Sequence, residues 1–296
     1  MGVRPDFLKN SIIIGAHPDD ELLWFNSIMR QADQVVIVFR HFWAQPELCE
    51  RRKAAIAEIP HPHVTCLEID EPGSYGCADW TQPVIDEFGL AFRHTAALRD
   101  AKRQVKRVMN KMTSDELPVA PAPIRDLYEA NYGRIRDAIR PMLHPGMNVF
   151  THNPWGEYGH EDHVQVFRVL EDLREELGFT LWMSNYCTER ALPLATQYFK
   201  RAPGAYIRLA TDKTYAEQVA DVYRRNGCWT WADDWAWFDE ECFMEAPRAM
   251  EKAGPHSHLM PLNIFRIDEE VSQSWLRLAT TLTATTGVGY LIAEMT

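Results

Sequence analysis

Residues 11–39 read SIIIGAHPDDELLWFNSIMRQADQVVIVF and predict the class of fold. Residues 11–16 and 34–39 are nearly continuous apolar runs, which are typical of parallel strands buried on both faces. Residues 21–32 between them are predicted to form a helix. A strand, a short turn, a helix and a second strand make a βαβ unit, so we expect the chain to build a parallel sheet.

Similar patterns continue along the 296 residues. Further strands are predicted at residues 64–69, 147–152, 180–183 and 205–209. Helices are predicted at residues 47–58, 96–113, 124–143 and 161–177, with Gly178 as the residue that ends the last one. The expected fold class is therefore α/β, a Rossmann-like and mostly parallel sheet with helices on both faces, plus a less regular C-terminal third.

No linker divides the chain, so a single domain over residues 1–296 is predicted. Its core is expected at about residues 10–185, followed by a C-terminal extension at about residues 186–296 for substrate binding or an oligomer contact. This extension holds four closely spaced tryptophans, Trp229, Trp231, Trp235 and Trp237. Such rings suit a core or an interface, and they also pack against sugar rings, so their role stays open. A homo-oligomer is left open as well.

Composition excludes several classes of protein. Lys plus Arg number 31 and Asp plus Glu 42, a formal net charge of −11, whereas a general nucleic-acid binder needs a basic face. No apolar run reaches the ~18 residues that cross a bilayer, and the first residues lack the apolar region of a signal peptide. The six cysteines form no CxxC pair, which predicts reduced thiols. We expect a cytoplasmic enzyme or binding protein.

Two segments carry the residues suited to chemistry. Residues 16–21 read AHPDDE and follow the first predicted strand, and residues 156–163 read GEYGHEDH and precede the helix after a later strand. Ligands of open α/β sheets bind outside the carboxyl ends of the strands. Both segments are therefore predicted to lie at the edge of the sheet where a site is expected.

The residue types in these segments indicate a metal site. His17 and Asp20 are three residues apart, as are His160 and His163, a spacing that places both side chains of a pair on one side. A His–Asp–His set is a reasonable catalytic zinc shell with one position open to water, and Asp19 could take that water's proton. The alternative is that the two aspartates only cap a helix.

On these motifs the chain resembles the PIG-L/LmbE-like superfamily of zinc-dependent N-deacetylases over roughly residues 10–185. AHPDDE matches that family's first motif completely, whereas its second motif usually reads HPDH and Glu161 replaces the proline here. The resemblance implies Zn2+, or Fe2+ in some members, bound by three ligands, His17, Asp20 and His163. It implies removal of an acetyl group from an N-acetylated amino sugar, free or carrier-linked, with zinc-bound water as the nucleophile.

The resemblance also implies roles for further residues. Asp19 would be the general base, a protonated His160 would stabilise the oxyanion with Asp162 tuning its charge, and Tyr158 would polarise the carbonyl. Two sugar-contacting residues are expected, Arg51 on the second helix and Asp70 after the third strand. The chain departs from the family at the first of these, because the usual Arg-x-x-Glu-Leu pattern is missing there and Arg52 is an equal candidate.

Three other functions compete with deacetylation of a sugar. The same metal centre could cleave a larger acyl or thiol-conjugate amide, or the protein could be a non-catalytic sugar binder with a degenerate site. A nucleotide-binding βαβ protein is disfavoured, because the first turn lacks GxGxxG and its two carboxylates would repel phosphate.

Overall fold

A seven-stranded sheet forms the centre of the protein, described by a computed structural model over residues 5–93, 96–102, 121–199, 206–247 and 261–267. Its strands are β1 Ser11–Gly15, β2 Gln34–His41, β3 Val64–Asp70, β4 Asn148–Thr151, β5 Thr180–Met183, β7 Tyr206–Ala210 and β8 Glu240–Glu245. They lie in the order β3-β2-β1-β4-β5-β8-β7. A separate parallel pair joins β6 Tyr186–Cys187 to β9 Asn263–Ile264.

The predicted α/β fold with a mostly parallel sheet is confirmed. Strand β1 lies at the centre, where Ile13 pairs in parallel with Val35 of β2 and with Phe150 of β4. Strands β3 and β5 continue the parallel arrangement on either side. The neighbours on both sides of β1 explain its uniformly apolar sequence, since all five of its residues are buried.

The helices whose bounds the structure describes in full are α1 Asp20–Leu23, α2 Asn26–Met29, α3 Pro46–Glu58, α4 Ile124–Ile139, α5 Glu161–Leu177, α6 Leu192–Phe199 and α7 Lys213–Arg225. Residues 96–102 are also helical, and the remainder of the helix predicted at 96–113 lies outside the described residues. Short 3-10 turns occur at Asp6–Leu8 and Arg140–Met142. Helices α1, α2 and α3 contact α7, and α4 contacts α5, so the helices form two groups, as expected for the two faces of such a sheet.

The prediction of one helix at residues 21–32 was wrong, because the segment forms two short helices, α1 and α2. At the break, the backbone of Phe25 leaves helical geometry with φ −139° and ψ 21°. The carboxylate of Glu241 on β8 then accepts the backbone N–H groups of Asn26 at 3.3 Å and Ser27 at 2.9 Å. A carboxylate at a helix N-terminus satisfies N–H groups that otherwise have no partner. This partner is more than 200 residues away in the chain, so no local pattern indicates it.

The described part of the C-terminal third adds two antiparallel strands to the parallel sheet. Strands β7 and β8 pair antiparallel with each other, and β8 pairs antiparallel with β5, so this region extends the sheet. Asp212 caps the N-terminus of helix α7, and its side chain accepts the backbone N–H of Tyr215 at 3.1 Å. The chain divides into two compact units, Met1–Trp229 with Trp237–Phe265, and Thr230–Ala236 with Arg266–Thr296. The single-domain description stays a prediction.

The four tryptophans of the C-terminal region fall in both units. In the first unit, Arg224 of α7 lies over the ring of Trp229 at 5.2 Å, and the indole of Trp237 donates to Glu217 of the same helix. In the second unit, the rings of Trp231 and Trp235 meet edge to face at 5.0 Å. A role of these four rings in sugar binding stays a prediction.

The cysteines and the helices relate to two expectations from the composition. All six cysteines are unpaired and five of them are buried, as reduced thiols would be. Within the described ranges, no helix combines the length and the apolar character that crossing a membrane requires. The cytoplasmic location stays a prediction.

Helix α5 ends where the sequence predicts, and Gly178 allows a test of that end. This residue has φ 77°, a left-handed conformation that L side chains adopt only at a cost, and a Cβ built there meets no atom within 4 Å. We therefore expect Gly178→Ala to lower the free energy of unfolding by about 1 kcal/mol through backbone strain alone. Gly133 in α4 is the matched control, because its Cβ also meets nothing within 4 Å but its backbone is helical. Gly133→Ala should raise stability by about 1 kcal/mol. Urea unfolding of both variants measures the difference, and equal effects would contradict the assignment.

Candidate metal centre

The site lies where the order of the strands reverses. From β1 the chain proceeds outward to β2 and β3, and it then returns to the other side of β1 as β4 and β5. The carboxyl ends of β1 and β4 therefore border a crevice, which is where ligands bind in sheets of this kind. The turn that contains His17 and Asp19 follows β1 and leads into α1 at Asp20, and the loop ending at His160 follows β4. The sheet thus brings together two segments that are about 140 residues apart.

Three side-chain atoms form a nearly equilateral triangle in this crevice. Nδ1 of His17 lies 3.3 Å from Nε2 of His163, and Oδ2 of Asp20 lies 3.4 Å from the latter and 3.5 Å from the former. Tetrahedral zinc with bonds of roughly 2.0–2.1 Å separates its ligand atoms by about 3.3 Å. The donor types also suit zinc, because imidazole nitrogens and carboxylate oxygens are its common ligands. The residues present therefore fit a divalent ion.

Two further imidazoles lie beside this triangle. In the described part of the chain, His160 groups with His17 and His163, and His152 groups with Asp20 and His163, at spacings that could hold a metal. Nε2 of His152 accepts the backbone N–H of Ala16 at 2.8 Å, so its lone pair is already used. His152 therefore lies behind the site, as a supporting residue.

The ligand His17 is oriented by Asp162. Its Nε2 lies 3.2 Å from Oδ2 of Asp162, whose Oδ1 accepts the hydroxyl of Ser74 at 2.5 Å. A carboxylate behind a ligand imidazole fixes which nitrogen carries the proton and leaves the other free for the metal. The resemblance implied that Asp162 tunes His160, but the structure places this carboxylate against His17. Only the backbone N–H of Asp162 meets His160, at its Nδ1.

The other two ligands are held in the same way. Nδ1 of His163 lies 2.7 Å from Oε2 of Glu157, which leaves Nε2 of His163 for the metal. The indole of Trp24 donates to Oδ1 of Asp20 at 2.7 Å, and Oδ2, which accepts the backbone N–H of His17 at 2.6 Å, is the oxygen that faces the two imidazoles. Each ligand of the triangle thus has a buried partner behind it that fixes its orientation.

Asp19 stands next to this triangle in a strained conformation. Its φ of 100° lies in the left-handed region, where a residue other than glycine is rare and costs energy. Its backbone N–H donates to Oε2 of Glu21 at 3.0 Å, and Oε1 of Glu21 accepts the hydroxyl of Tyr223 at 2.6 Å. Helix α7 of the C-terminal third therefore supports Asp19 indirectly, through the hydrogen bond of Tyr223 to Glu21.

The two neighbouring aspartates have opposite electrostatic surroundings. Burial raises the pKa of Asp19 well above its usual value, and the charge of Asp20 raises it further, against the opposing charge of Arg52. Burial also disfavours ionised Asp20, but the imidazoles of His163 and His152 hold its pKa well below the usual value. Surroundings that move the pKa values of two neighbouring carboxyl groups in opposite directions are typical of sites where the two groups have different roles.

His160 is placed to donate a hydrogen bond as a neutral imidazole. It is the N-cap residue of α5, and its Nδ1 accepts the backbone N–H of Asp162 at 3.1 Å. Burial lowers the pKa of His160 well below its usual value, and the imidazoles of His17 and His163 lower it further. Because Nδ1 accepts a hydrogen bond, a neutral His160 ring carries its hydrogen on Nε2. The protonated ring that the resemblance implied stays a prediction.

Aromatic rings line the site around His160. The ring of Tyr158 lies 5.6 Å from that of His160, and the ring of Tyr75 lies 5.1 Å away on the loop after β3. Arg190 lies over the Tyr75 ring at 4.7 Å. Tyr75 and Arg190 were not predicted, because nothing in the local sequence of either residue indicates a contact with the second motif.

Glu161, which replaces the usual proline, fixes the loop that carries Tyr75. Its carboxylate accepts the backbone N–H groups of Gly76 at 3.0 Å and Ala78 at 2.9 Å, together with the indole of Trp80 at 3.1 Å. Residues 74–80 are thereby held against the N-terminus of α5. A proline at this position could make none of these bonds.

The structure does not bring Arg51 or Asp70 into the cluster. Arg51 is half-exposed and donates to the carbonyl oxygen of Gly227 at 3.1 Å, and Asp70 is exposed at the end of β3. Their chain neighbours Arg52 and Glu71 are buried instead and form an ion pair. One step along a helix turns a side chain by about 100°, and one step along a strand reverses its face, so the neighbouring residue points the other way.

The Arg52–Glu71 pair lies within electrostatic reach of the site. The charge of Arg52 lowers the pKa of Asp19, and the charge of Glu71 raises that of His17. Burial opposes a charge on His17, but its hydrogen bonds to Asp162 and Asp20 together with nearby carboxylates raise its pKa to about 10. The carboxylates around His17 therefore make the site strongly negative, and a bound cation would neutralise this charge.

Comparison with known proteins gives similarity to solved structures alone. No family model matches the chain, and no curated protein matches it. One similar structure is the zinc-inhibited form of teicoplanin deacetylase Orf2, with 17% identity, a TM-score of 0.37 and coverage of 74% of this chain and 84% of that one. Another is a deacetylase–bog complex in the biosynthesis pathway of teicoplanin, with 16% identity, the same TM-score of 0.37 and the same coverage of 74% and 84%.

Proposed function

We propose that the protein is a zinc-dependent N-deacetylase, a hydrolase that removes the acetyl group from an N-acetylated amino sugar or glycoconjugate. The observation that carries this proposal is the triangle of ligand atoms from His17, Asp20 and His163, with spacings of 3.3 to 3.5 Å. Two imidazoles and one carboxylate also suit Fe2+, so the identity of the metal is part of the proposal.

Residues around the triangle supply the remaining parts of an amide hydrolase. A divalent ion bound there would activate a water molecule and polarise the amide carbonyl. Asp19 is the group that accepts a proton from the attacking water and returns it to the leaving amine, because it is a buried carboxylate next in the chain to the ligand Asp20 and is not itself one of the three ligands. Nε2–H of His160 and the hydroxyl of Tyr158 donate hydrogen bonds to the carbonyl oxygen as negative charge develops on it.

Two of the competing functions, a non-catalytic sugar binder and an amidase for a larger acyl group, make different demands on the site. A non-catalytic sugar binder would need no buried, strained Asp19 beside the ligands, so the left-handed φ of 100° at this residue favours catalysis. An amidase for a larger acyl group would share the metal centre and differ only in the space for the acyl chain. The distinction between acetyl and larger acyl groups therefore belongs to the experiment.

One experiment tests the proposal as a whole. The purified protein would be analysed for bound metal and incubated with free, nucleotide-linked and lipid-linked N-acetylglucosamine, with and without a chelator, while acetate release is measured. We expect about one divalent ion per chain and acetate release that the chelator stops. Analogues with longer N-acyl groups in the same panel identify an amidase if they are hydrolysed faster. Bound metal without hydrolysis of any amide would contradict the proposal.

The buried Arg52–Glu71 pair is proposed to contact the sugar. Replacing Arg52 by Lys keeps the charge opposite Glu71 but loses the planar fork of the guanidinium. We expect KM to rise by about tenfold with little change in kcat, since one charge-assisted hydrogen bond contributes about 1.5 kcal/mol. Arg51→Lys is the matched control, and it should leave both constants unchanged because Arg51 contacts Gly227 and Glu47 instead. A larger effect at Arg51 than at Arg52 would restore the sequence-based assignment.

A further inference from the structure

Glu157 is a buried carboxylate that none of the proposed chemical steps uses. It lies in the loop between β4 and α5, it is fully buried, and its φ of 46° is left-handed. A residue other than glycine in this conformation costs roughly 1 kcal/mol, so the surrounding contacts must hold it there. The contacts of the carboxylate identify what it holds in return.

The carboxylate of Glu157 accepts four hydrogen bonds. Oε2 lies 2.7 Å from Nδ1 of His163 and 2.9 Å from Nδ1 of His152. Oε1 accepts the backbone N–H of Asn153 at 2.9 Å and the hydroxyl of Ser184 at 2.6 Å. All four acceptor positions of an ionised carboxylate are used, and a neutral amide could not accept all four.

These bonds act on two of the three ligands of the metal triangle, His163 and His17. With its Nδ1–H donated to Glu157, His163 presents Nε2 toward His17 and Asp20. With its Nδ1–H donated to the same oxygen, His152 presents Nε2 as an acceptor for the backbone N–H of Ala16, the residue before His17. One carboxylate thus orients one ligand directly and anchors the backbone beside another.

We infer that Glu157 is a positioning residue that acts on two ligands of the metal centre, setting the ring orientation of His163 and, through His152, the position of the backbone at Ala16, directly before His17. The inference rests on the proposed metal-dependent function. A purely structural role would instead hold the loop between β4 and α5 and leave metal affinity unchanged once the protein is folded.

The test is the zinc affinity of Glu157→Gln, measured on the metal-free full-length protein by competition with a chromophoric chelator. We expect affinity to fall by 10- to 100-fold, the usual effect of losing the carboxylate behind a ligand histidine. Glu241→Gln is the matched control, because that carboxylate is also fully buried and accepts several hydrogen bonds, but from Asn26, Ser27 and Tyr186, none of which bonds a ligand of the triangle. Its affinity should stay within about twofold of the wild type. Equal zinc affinity of Glu157→Gln and the wild type would overturn the inference.

A second measurement covers a variant that does not fold. In 15N-labelled wild-type protein loaded with zinc, we expect the His163 ring to show a protonated Nδ1 and a metal-bound Nε2. A metal-bound Nδ1 would overturn the inference without any variant. The two proposals fail differently. If the wild type binds no divalent ion, both fail. If the wild type shows zinc-dependent hydrolysis and Glu157→Gln binds zinc as tightly as the wild type, only the inference about Glu157 fails.

Discussion

Asp19→Asn is expected to lower kcat by about 10²- to 10⁴-fold while the metal content stays at the wild-type level, because general acid–base catalysis contributes that much. Asparagine has nearly the same shape as aspartate and tolerates the left-handed backbone that Asp19 adopts at φ 100°. The amide cannot accept a proton from water, and the three ligand atoms belong to other residues. The measurement is acetate release combined with metal analysis of the same preparation.

Asp70→Asn is the control for this prediction. Asp70 is exposed at the end of β3, so the same chemical change there should leave kcat and KM unchanged. A near-normal kcat for Asp19→Asn with metal bound would contradict the assignment of the base. A loss of metal in that variant would show instead that the residue supports the ligands, and the proposed division of roles between Asp19 and Asp20 would be wrong.

His163→Ala is expected to remove most of the bound metal and to reduce activity by at least about 10³-fold, since metal polarisation supplies several kcal/mol of transition-state stabilisation. The substitution leaves only His17 and Asp20 of the triangle, and two ligands do not complete the shell of a catalytic zinc site. It also leaves Glu157 with an unused acceptor in a buried place, so some stability should be lost.

Metal analysis, acetate release and thermal unfolding of His163→Ala separate these effects. His144→Ala is the control, because His144 is exposed and its ring contacts the neighbouring Pro145, away from the metal triangle. It should retain metal and activity. Full metal content in His163→Ala would rule out this residue as a ligand. His160, which groups with His17 at a spacing that could hold a metal, would then be the candidate ligand in its place.

The sequence predicted those parts of the fold that depend on local patterns. The apolar runs of β1 and β2 indicated strands buried on both faces, and α5 begins and ends at the predicted residues. The break between α1 and α2 was not predicted, because the carboxylate of Glu241 that caps α2 comes from a distant strand. The pairing of β8 with β5 likewise joins segments about 60 residues apart.

The candidate site shows the same division. His17, Asp20 and His163 were named from two motifs at strand ends, and the parallel order of β1 and β4 then required these motifs to meet. Arg51 and Asp70 were each placed one residue away from the buried pair, because an approximate element boundary does not determine which of two neighbouring side chains points inward.

What the sequence determined by itself is therefore the class of sheet, the two motifs at its carboxyl edge and the kind of atom that each motif supplies. These follow from residue type and periodicity, which are local properties. Only the tertiary structure decided which partner each ligand has: Asp162 behind His17, Glu157 behind His163 and Trp24 behind Asp20. The partnership of Glu157 with His163 also involves a left-handed turn at Glu157. Such geometry arises only when the packed chain excludes water and every buried polar atom must find a partner.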